Sequence, residues 1–242
     1  MGFLGYGWQV ERLRARFYAP EFLGMYARLL ATIVQHARPD DVILDAGCGS
    51  GRVFQHRQAG NVGRIVGVDV TDEPRENENL TDAAKGDLRA LPFRDNQFDM
   101  AIVSHVAEHL VDPEDTFAEL SRVLKPGGRL LLLTPNRWHY VPLVARLVPH
   151  RLHIVFNNWR GIDTADIFPT QYRANTAGRL RALSEQAGLD VESLEQSETE
   201  PEYLAFHLIP YTLGVAYERL VNRFGFLAKL RVNLLLVARK RA

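Results

Sequence analysis

A glycine-rich turn and three spaced aspartates are the residues whose types and placement could do chemistry. The turn, Asp45-Ala46-Gly47-Cys48-Gly49-Ser50-Gly51, ends a short apolar run that begins at Val42. Glycines allow positive φ and remove the Cβ that would hold a ligand off the backbone. A ligand is therefore expected on this turn, at the carboxyl edge of a sheet, where open α/β sheets bind their ligands. Asp69 falls near the end of a second apolar run, RIVGVDV, at a depth where a carboxylate can accept both hydroxyls of a ribose. Asp87, in Lys85-Gly86-Asp87-Leu88, falls where a carboxylate can accept from the exocyclic amine of a base. Singly, each acid reads equally well as a helix cap or turn residue, but the three in register favour the ligand. The rival is the dinucleotide fingerprint G-x-G-x-x-G. Here Gly51 arrives one residue early, which disfavours NAD.

The elements that must position these residues alternate in type. Phe22, Met25, Leu29, Leu30 and Ile33 recur at helical spacing and predict a helix over about 21–37, stopped by Pro39-Asp40-Asp41. VILDA and RIVGVDV then predict two buried parallel strands, Ala83 to Lys85 a third at an edge, FDMAIVSHV a fourth and GRLLLLTP a fifth. Asp112-Pro113 opens a helix through about Leu124, and Lys125-Pro126-Gly127-Gly128 is a turn that ends it. Asn175-Thr176 caps a helix that Gly188 ends, after which LDVESLEQ and RVNLLLVARK predict two last strands around a helix from Pro210 to Phe224. Strands alternating with helices imply an α/β fold with a parallel sheet. The chain is expected to be one domain over 1–242, with an N-terminal helical cap over 1–39 and an inserted lid over 137–175.

Composition removes other classes. Of 242 residues, 29 are Lys or Arg and 29 Asp or Glu, so no global field recruits nucleic acid, and basic residues near the start amount only to Arg12, Arg14 and Arg16. Those three are expected on a solvated helix face near the mouth of the site. The single Cys48 excludes an internal disulfide framework and a multi-thiolate zinc site, and no metal is expected. No long apolar leader or membrane-spanning run is legible, which fits a cytoplasmic location.

LDAGCGSGR, VGVD, GDLRALPFRDNQFDMAIVSHVAEHL and VLKPGGRLLLLTPN together resemble the successive motifs of class I S-adenosylmethionine-dependent methyltransferases, in particular the small-molecule branch that includes quinone-biosynthesis enzymes. The resemblance covers about residues 40–136. It implies a Rossmann-like, doubly wound, seven-stranded sheet, mostly parallel with an antiparallel last strand and helices on both faces; Arg231 to Arg239 is the candidate for that strand, last in sequence but inside the sheet. It implies S-adenosyl-L-methionine as cofactor and S-adenosyl-L-homocysteine as product. Asp45, Gly47 and Gly49 would hold the methionyl part, Asp69 the ribose, Asp87 with the Leu88 backbone the adenine, and Ser104 and His105 would line the sulfonium side; Cys48 and Val70 complete the set. An ammonium and a sulfonium suit a carboxylate-rich site, and residues 40–51 contain no Lys or Arg to draw a pyrophosphate.

Methyl transfer from a sulfonium is an in-line displacement from an activated leaving group, so alignment dominates and a base serves only a protonated acceptor. His109, in Ala107-Glu108-His109-Leu110, is the candidate base. Its rival role is to pack the start of the next helix, with Glu108 solvated. Residues 137–162 carry four arginines and no acid. Trp138, Tyr140, Arg146 and Arg151 are the candidate acceptor contacts, and arginine forks would suit an anionic acceptor: a small molecule, a glycan or a lipid-linked precursor. The rival is a surface helix over Val141 to Val148 with solvated arginines. Leu204, Phe206, Leu208, Ile209, Leu213, Val215 and Tyr217 form an apolar stretch that leaves core packing, a homodimer interface and peripheral membrane contact open. The alternative to an enzyme is a non-catalytic protein that keeps the fold to bind the cofactor or to scaffold a partner.

Overall fold

The computed structural model describes residues 7–18, 24–51, 63–147 and 169–242. Seven strands, β1 (Val42–Ala46), β2 (Arg64–Asp69), β3 (Asp82–Lys85), β4 (Phe98–Ser104), β5 (Leu124–Pro135), β6 (Leu189–Ser197) and β7 (Asn233–Lys240), form one sheet in the order β3-β2-β1-β4-β5-β7-β6. β1 to β5 pair in parallel, and β7 runs antiparallel to both β5 and β6. The last strand in sequence is thus inserted inside the sheet, two residues later than the expected start.

Alternation along the strands builds two apolar layers. Leu44, Val66, Ala101, Leu130, Leu132 and Leu236 face one side, where Phe117 and Leu120 of α3 (Pro113–Val123) and Leu180 and Leu183 of α5 (Ala177–Gln186) cover them. Ile43, Ile65, Ile102, Leu131, Leu133 and Leu235 face the other, covered by Met25, Leu29 and Ile33 of α2 (Met25–His36). Successive strand side chains point to opposite faces, so runs such as LLLL must be buried on both. α2 is therefore one of the helical layers of the sheet and not a separate cap. α1 (Gly7–Phe17) lies instead against α6 (Leu208–Arg223), where Val10, Tyr18, Tyr211 and Val215 form a small core of their own. α4 (Tyr140–Leu147) follows β5.

Helix boundaries follow local chemistry. Thr176 caps α5, its hydroxyl accepting from the Arg179 amide at 3.2 Å, and Gly188 leaves the helix at φ +75°. Pro113 opens α3, its missing N–H being one that no helical partner would serve. The stretch Lys125-Pro126-Gly127-Gly128 follows the end of α3 as the expected turn: pairing with β4 passes from Phe98 beside Leu124 to Met100 beside Arg129, so these four residues loop out of the ladder at the start of β5, with Gly127 at φ +79°. The apolar stretch before β7 divides by helical period. Tyr211, Val215 and Val221 are buried, while Ile209, Leu213 and Leu220 stand exposed. Among the described residues no helix is long and apolar enough to cross a membrane.

Candidate active site

Strand order reverses between β1 and β4, and ligands of open α/β sheets bind at such a switch point, outside the carboxyl ends of the strands. A cleft of about 410 Å3 lies there. Gly47 and Gly49, after β1, form its floor; Asp69 and Val70 come from the end of β2, Asp87 and Leu88 from the loop after β3, and His105 and His109 from the segment after β4.

The floor has the geometry that the glycines anticipate. Gly47 sits at φ +78°, and a Cβ on it would lie 2.3 Å from Val106 Cγ2. Gly51 sits at φ +73° with Asn77 Oδ1 only 2.1 Å from where its Cβ would be. The Gly47 amide donates to Val68 O at 2.7 Å, and buried Asn77 donates to Cys48 O and Gly49 O at 3.3 and 3.4 Å. Asn77 braces the turn, a role the sequence does not advertise because the bracing residue comes from a distant loop. Asp69 accepts from the Gly49 amide at 3.1 Å and from the Thr71 amide and hydroxyl at 3.0 and 3.1 Å. Its carboxylate is thereby fixed at the lip of the cleft.

Seven of the ten expected cofactor residues, Gly47, Gly49, Asp69, Val70, Asp87, Leu88 and His105, line this cleft. Asp45, 5% exposed, Cys48 and Ser104 do not; they stand at the ends of β1 and β4, beneath or beside it. Asp87 is held by Arg89, whose Nη2 donates to Oδ2 at 2.7 Å and whose amide donates to Oδ1 at 2.9 Å, and these bonds keep its carboxyl below the usual range. Arg89 also reaches Asp112 at 3.0 Å. The sequence pattern shows the acid but not this guanidinium partner.

The two histidines differ. His105 is one of three non-glycine residues described at positive φ, +57°, held there by its amide donating to Leu133 O at 2.9 Å. Such a conformation costs roughly 1–3 kcal/mol and persists when its surroundings fix it. Its ring stacks on Tyr26 with centroids 5.2 Å apart, and burial lowers its pKa, so the imidazole is neutral near pH 7. His109 borders this cleft, with Nδ1 3.2 Å from Pro169 O.

His105 also borders a second chamber of about 590 Å3, lined further by Tyr26, Glu108, His139, Tyr140, Glu198 and Tyr203. Glu108 is not solvated but buried, 6% exposed, accepting from the Thr134 hydroxyl at 3.0 Å, and that hydroxyl in turn accepts from Asn175 Nδ2 at 2.6 Å. Of the expected acceptor contacts, Tyr140 lines this chamber. Trp138 stands half-exposed outside it, with the Arg137 guanidinium 5.4 Å from its ring centre. Arg146 is part of α4, its side chain outside the described residues, and Arg151 lies outside them altogether. Arg14 is not merely solvated: it is tied to Glu200 and Glu11, while Arg12 and Arg16 remain exposed. Glu108, Glu198 and Tyr203 were not legible as site residues, because chain segments far apart in sequence bring them together.

Comparison with known proteins agrees with this geometry. Residues 44–132 match the family described as the methyltransferase domain. A demethylmenaquinone methyltransferase of Symbiobacterium thermophilum is 32% identical over 114 residues, 42% of this chain and 45% of that protein. A sterol 24-C-methyltransferase of Pneumocystis carinii is 28% identical over 218 residues, 85% of this chain and 55% of that protein. The chain thus spans about half the length of these relatives. An S-adenosylmethionine-dependent methyltransferase from Mesorhizobium loti shares the fold, with a TM-score of 0.60 at 18% identity over 90% of this chain and 98% of that one. The glycine floor, the aspartate lip and the strand order are similar to those of class I S-adenosylmethionine-dependent methyltransferases, and residues 44–132 match the methyltransferase domain.

Proposed function

We propose that this protein transfers a methyl group from S-adenosylmethionine to a small-molecule acceptor. The observation that carries the reading is the juncture at His105, where a cleft fitted to the cofactor meets a second chamber large enough for an acceptor. Gly47, Gly49, Asp69, Asp87 and Leu88 all line the cleft, which supports the reading that the glycines admit the ligand against the backbone, Asp69 takes the ribose hydroxyls and Asp87 with Leu88 takes the base. The bound cofactor supplies an activated methyl group, and the protein's task is to align it with the acceptor; alignment of this kind is worth about 7–11 kcal/mol. A protonated acceptor needs a proton sink. His105 borders both spaces and is neutral, which makes it better placed than His109, which borders the cofactor cleft alone.

The anionic-acceptor reading drew on the arginines of residues 137–162. Arg137 is engaged with Trp138, and the described lining of the second chamber contains no arginine or lysine, so the charge of the acceptor must be argued from that lining instead. Of the expected lid over 137–175, residues 148–168 lie outside the described residues, and Tyr140, Thr170 and Tyr172 on either side of them border this chamber.

Calorimetric titration with S-adenosylmethionine, S-adenosylhomocysteine and NAD tests the cofactor half. The two sulfur compounds should bind, NAD should not, and Asp69→Ala should weaken binding by about tenfold or more, the worth of one or two charge-assisted hydrogen bonds. Absence of binding by either sulfur compound would leave a scaffold with this fold as the better reading.

A further inference from the structure

The second chamber is lined by Glu108, Glu198, Glu200 and Glu202, and among the described residues by no lysine or arginine. These four carboxylates differ in what answers their charge. Glu200 is paired with Arg14 and accepts from the Tyr211 hydroxyl at 3.0 Å. Glu198 accepts from the Val232 amide at 2.9 Å and has His139 Nε2 at 3.3 Å. Glu202 is exposed to solvent. Glu108 is the exception: it is buried, and among the described residues its carboxylate accepts one bond, from the neutral Thr134 hydroxyl, with no cation beside it. A carboxylate buried without a cation is unfavourable unless something positive completes it.

A second observation bears on the same place. His105 Nδ1 is buried and among the described residues has no hydrogen-bond partner, although nearly all buried polar atoms have one. His105 and Glu108 border the chamber together with the aromatic residues Tyr26, Tyr140 and Tyr203. Carboxylate and aromatic side chains around a cavity, with a histidine nitrogen unsatisfied among them, are the surroundings in which an organic cation is desolvated at least cost.

We propose that the acceptor carries an ammonium group, which pairs with Glu108 in this chamber. The inference rests on the methyltransferase reading, and it names the class of molecule that reading leaves open: a small organic amine of a size that fits about 590 Å3. An anionic acceptor would meet the Glu108 carboxylate without a described cation to balance it.

The experiment uses the full chain saturated with S-adenosylhomocysteine and three probes of nearly equal size: phenethylammonium, 2-phenylethanol and phenylacetate. Calorimetric titration should show the ammonium binding about tenfold or more tighter than the alcohol, with phenylacetate weakest. Glu108→Gln, which keeps the size and the bond to Thr134, should reduce that preference to about twofold or less while S-adenosylhomocysteine still binds. Alcohol or carboxylate binding as tightly as the ammonium would overturn the proposal, as would a folded Glu108→Gln protein that keeps the preference. Should the variant fail to fold, the wild-type series decides alone. Failure of the wild type to bind S-adenosylhomocysteine would instead sink the methyltransferase reading on which the proposal stands.

Discussion

Single atoms decide much of the cleft at the carboxyl ends of the strands. A methyl group at Gly47 would meet Val106 Cγ2 at 2.3 Å from a backbone at φ +78°, so Gly47→Ala should both strain the turn and fill the floor. The expected result is loss of S-adenosylmethionine binding by calorimetry in a protein whose far-ultraviolet spectrum is unchanged. His105 makes a different prediction. Its burial lowers the pKa, so the neutral form required of a base survives to more acid pH than an ordinary histidine, whose midpoint is roughly 6.5. Single-turnover rates with a protonated acceptor should hold steady below that value before falling. Asparagine tolerates the φ +57° backbone but offers no base, so His105→Asn should flatten the acid limb; an unchanged profile would clear His105 of the role. At this scale the sequence disclosed those groups whose identity is itself the signal, the glycines and Asp69. It did not disclose Glu108, which looks like a solvent-facing acid between Ala107 and His109 until the fold places Thr134 against it.

Elements were legible where their burial pattern is strong and local. Leu44, Val66, Ala101 and Leu132 lie in strands whose apolar runs announce burial on both faces, and Thr176 with Gly188 marks the two ends of α5. The Lys125-Pro126-Gly127-Gly128 stretch was legible as a turn because Pro and Gly fix its conformation locally, and strand pairing passes over it from Leu124 to Arg129. α6 misleads, since an apolar composition does not state which residues will be covered; the period of the helix and the arrival of α1 decide that. The helical layers yield their own test. Leu120 of α3 is fully buried against the sheet, and Leu120→Ala should destabilise the protein by about 2–5 kcal/mol, read as a lower denaturation midpoint with an unchanged slope in urea. A loss under about 1 kcal/mol would mean that α3 is not anchored by this side chain.

For the molecule as a whole, a ligand that binds only the folded state adds its binding energy to stability. S-adenosylmethionine at about one hundred times its Kd should contribute about 2.7 kcal/mol. In a chain of this length that corresponds to a rise in Tm of roughly 5–10 °C, measurable by calorimetry and absent with NAD. The overall architecture was the most legible level, because alternation of strands and helices leaves few topologies, and the methyltransferase motifs then select one. The second chamber was the least legible: Tyr26 comes from α2, Glu108 from the segment after β4, Tyr140 from α4 and Glu198 from the segment after β6, so no window of sequence contains it.

The position of β7 sets an order in time. Leu130 lies beside Ala238, and Leu194 beside Leu236, so the strand that joins β6 to the rest of the sheet leaves the ribosome after both of its neighbours. Until residues 233–240 emerge, β5 ends the growing sheet as a bare edge and β6 has no neighbour. A ribosome paused before that point holds a nascent chain whose β5 flank is open to pairing with other chains, and the arrival of β7 closes that flank and carries the edge out to β6.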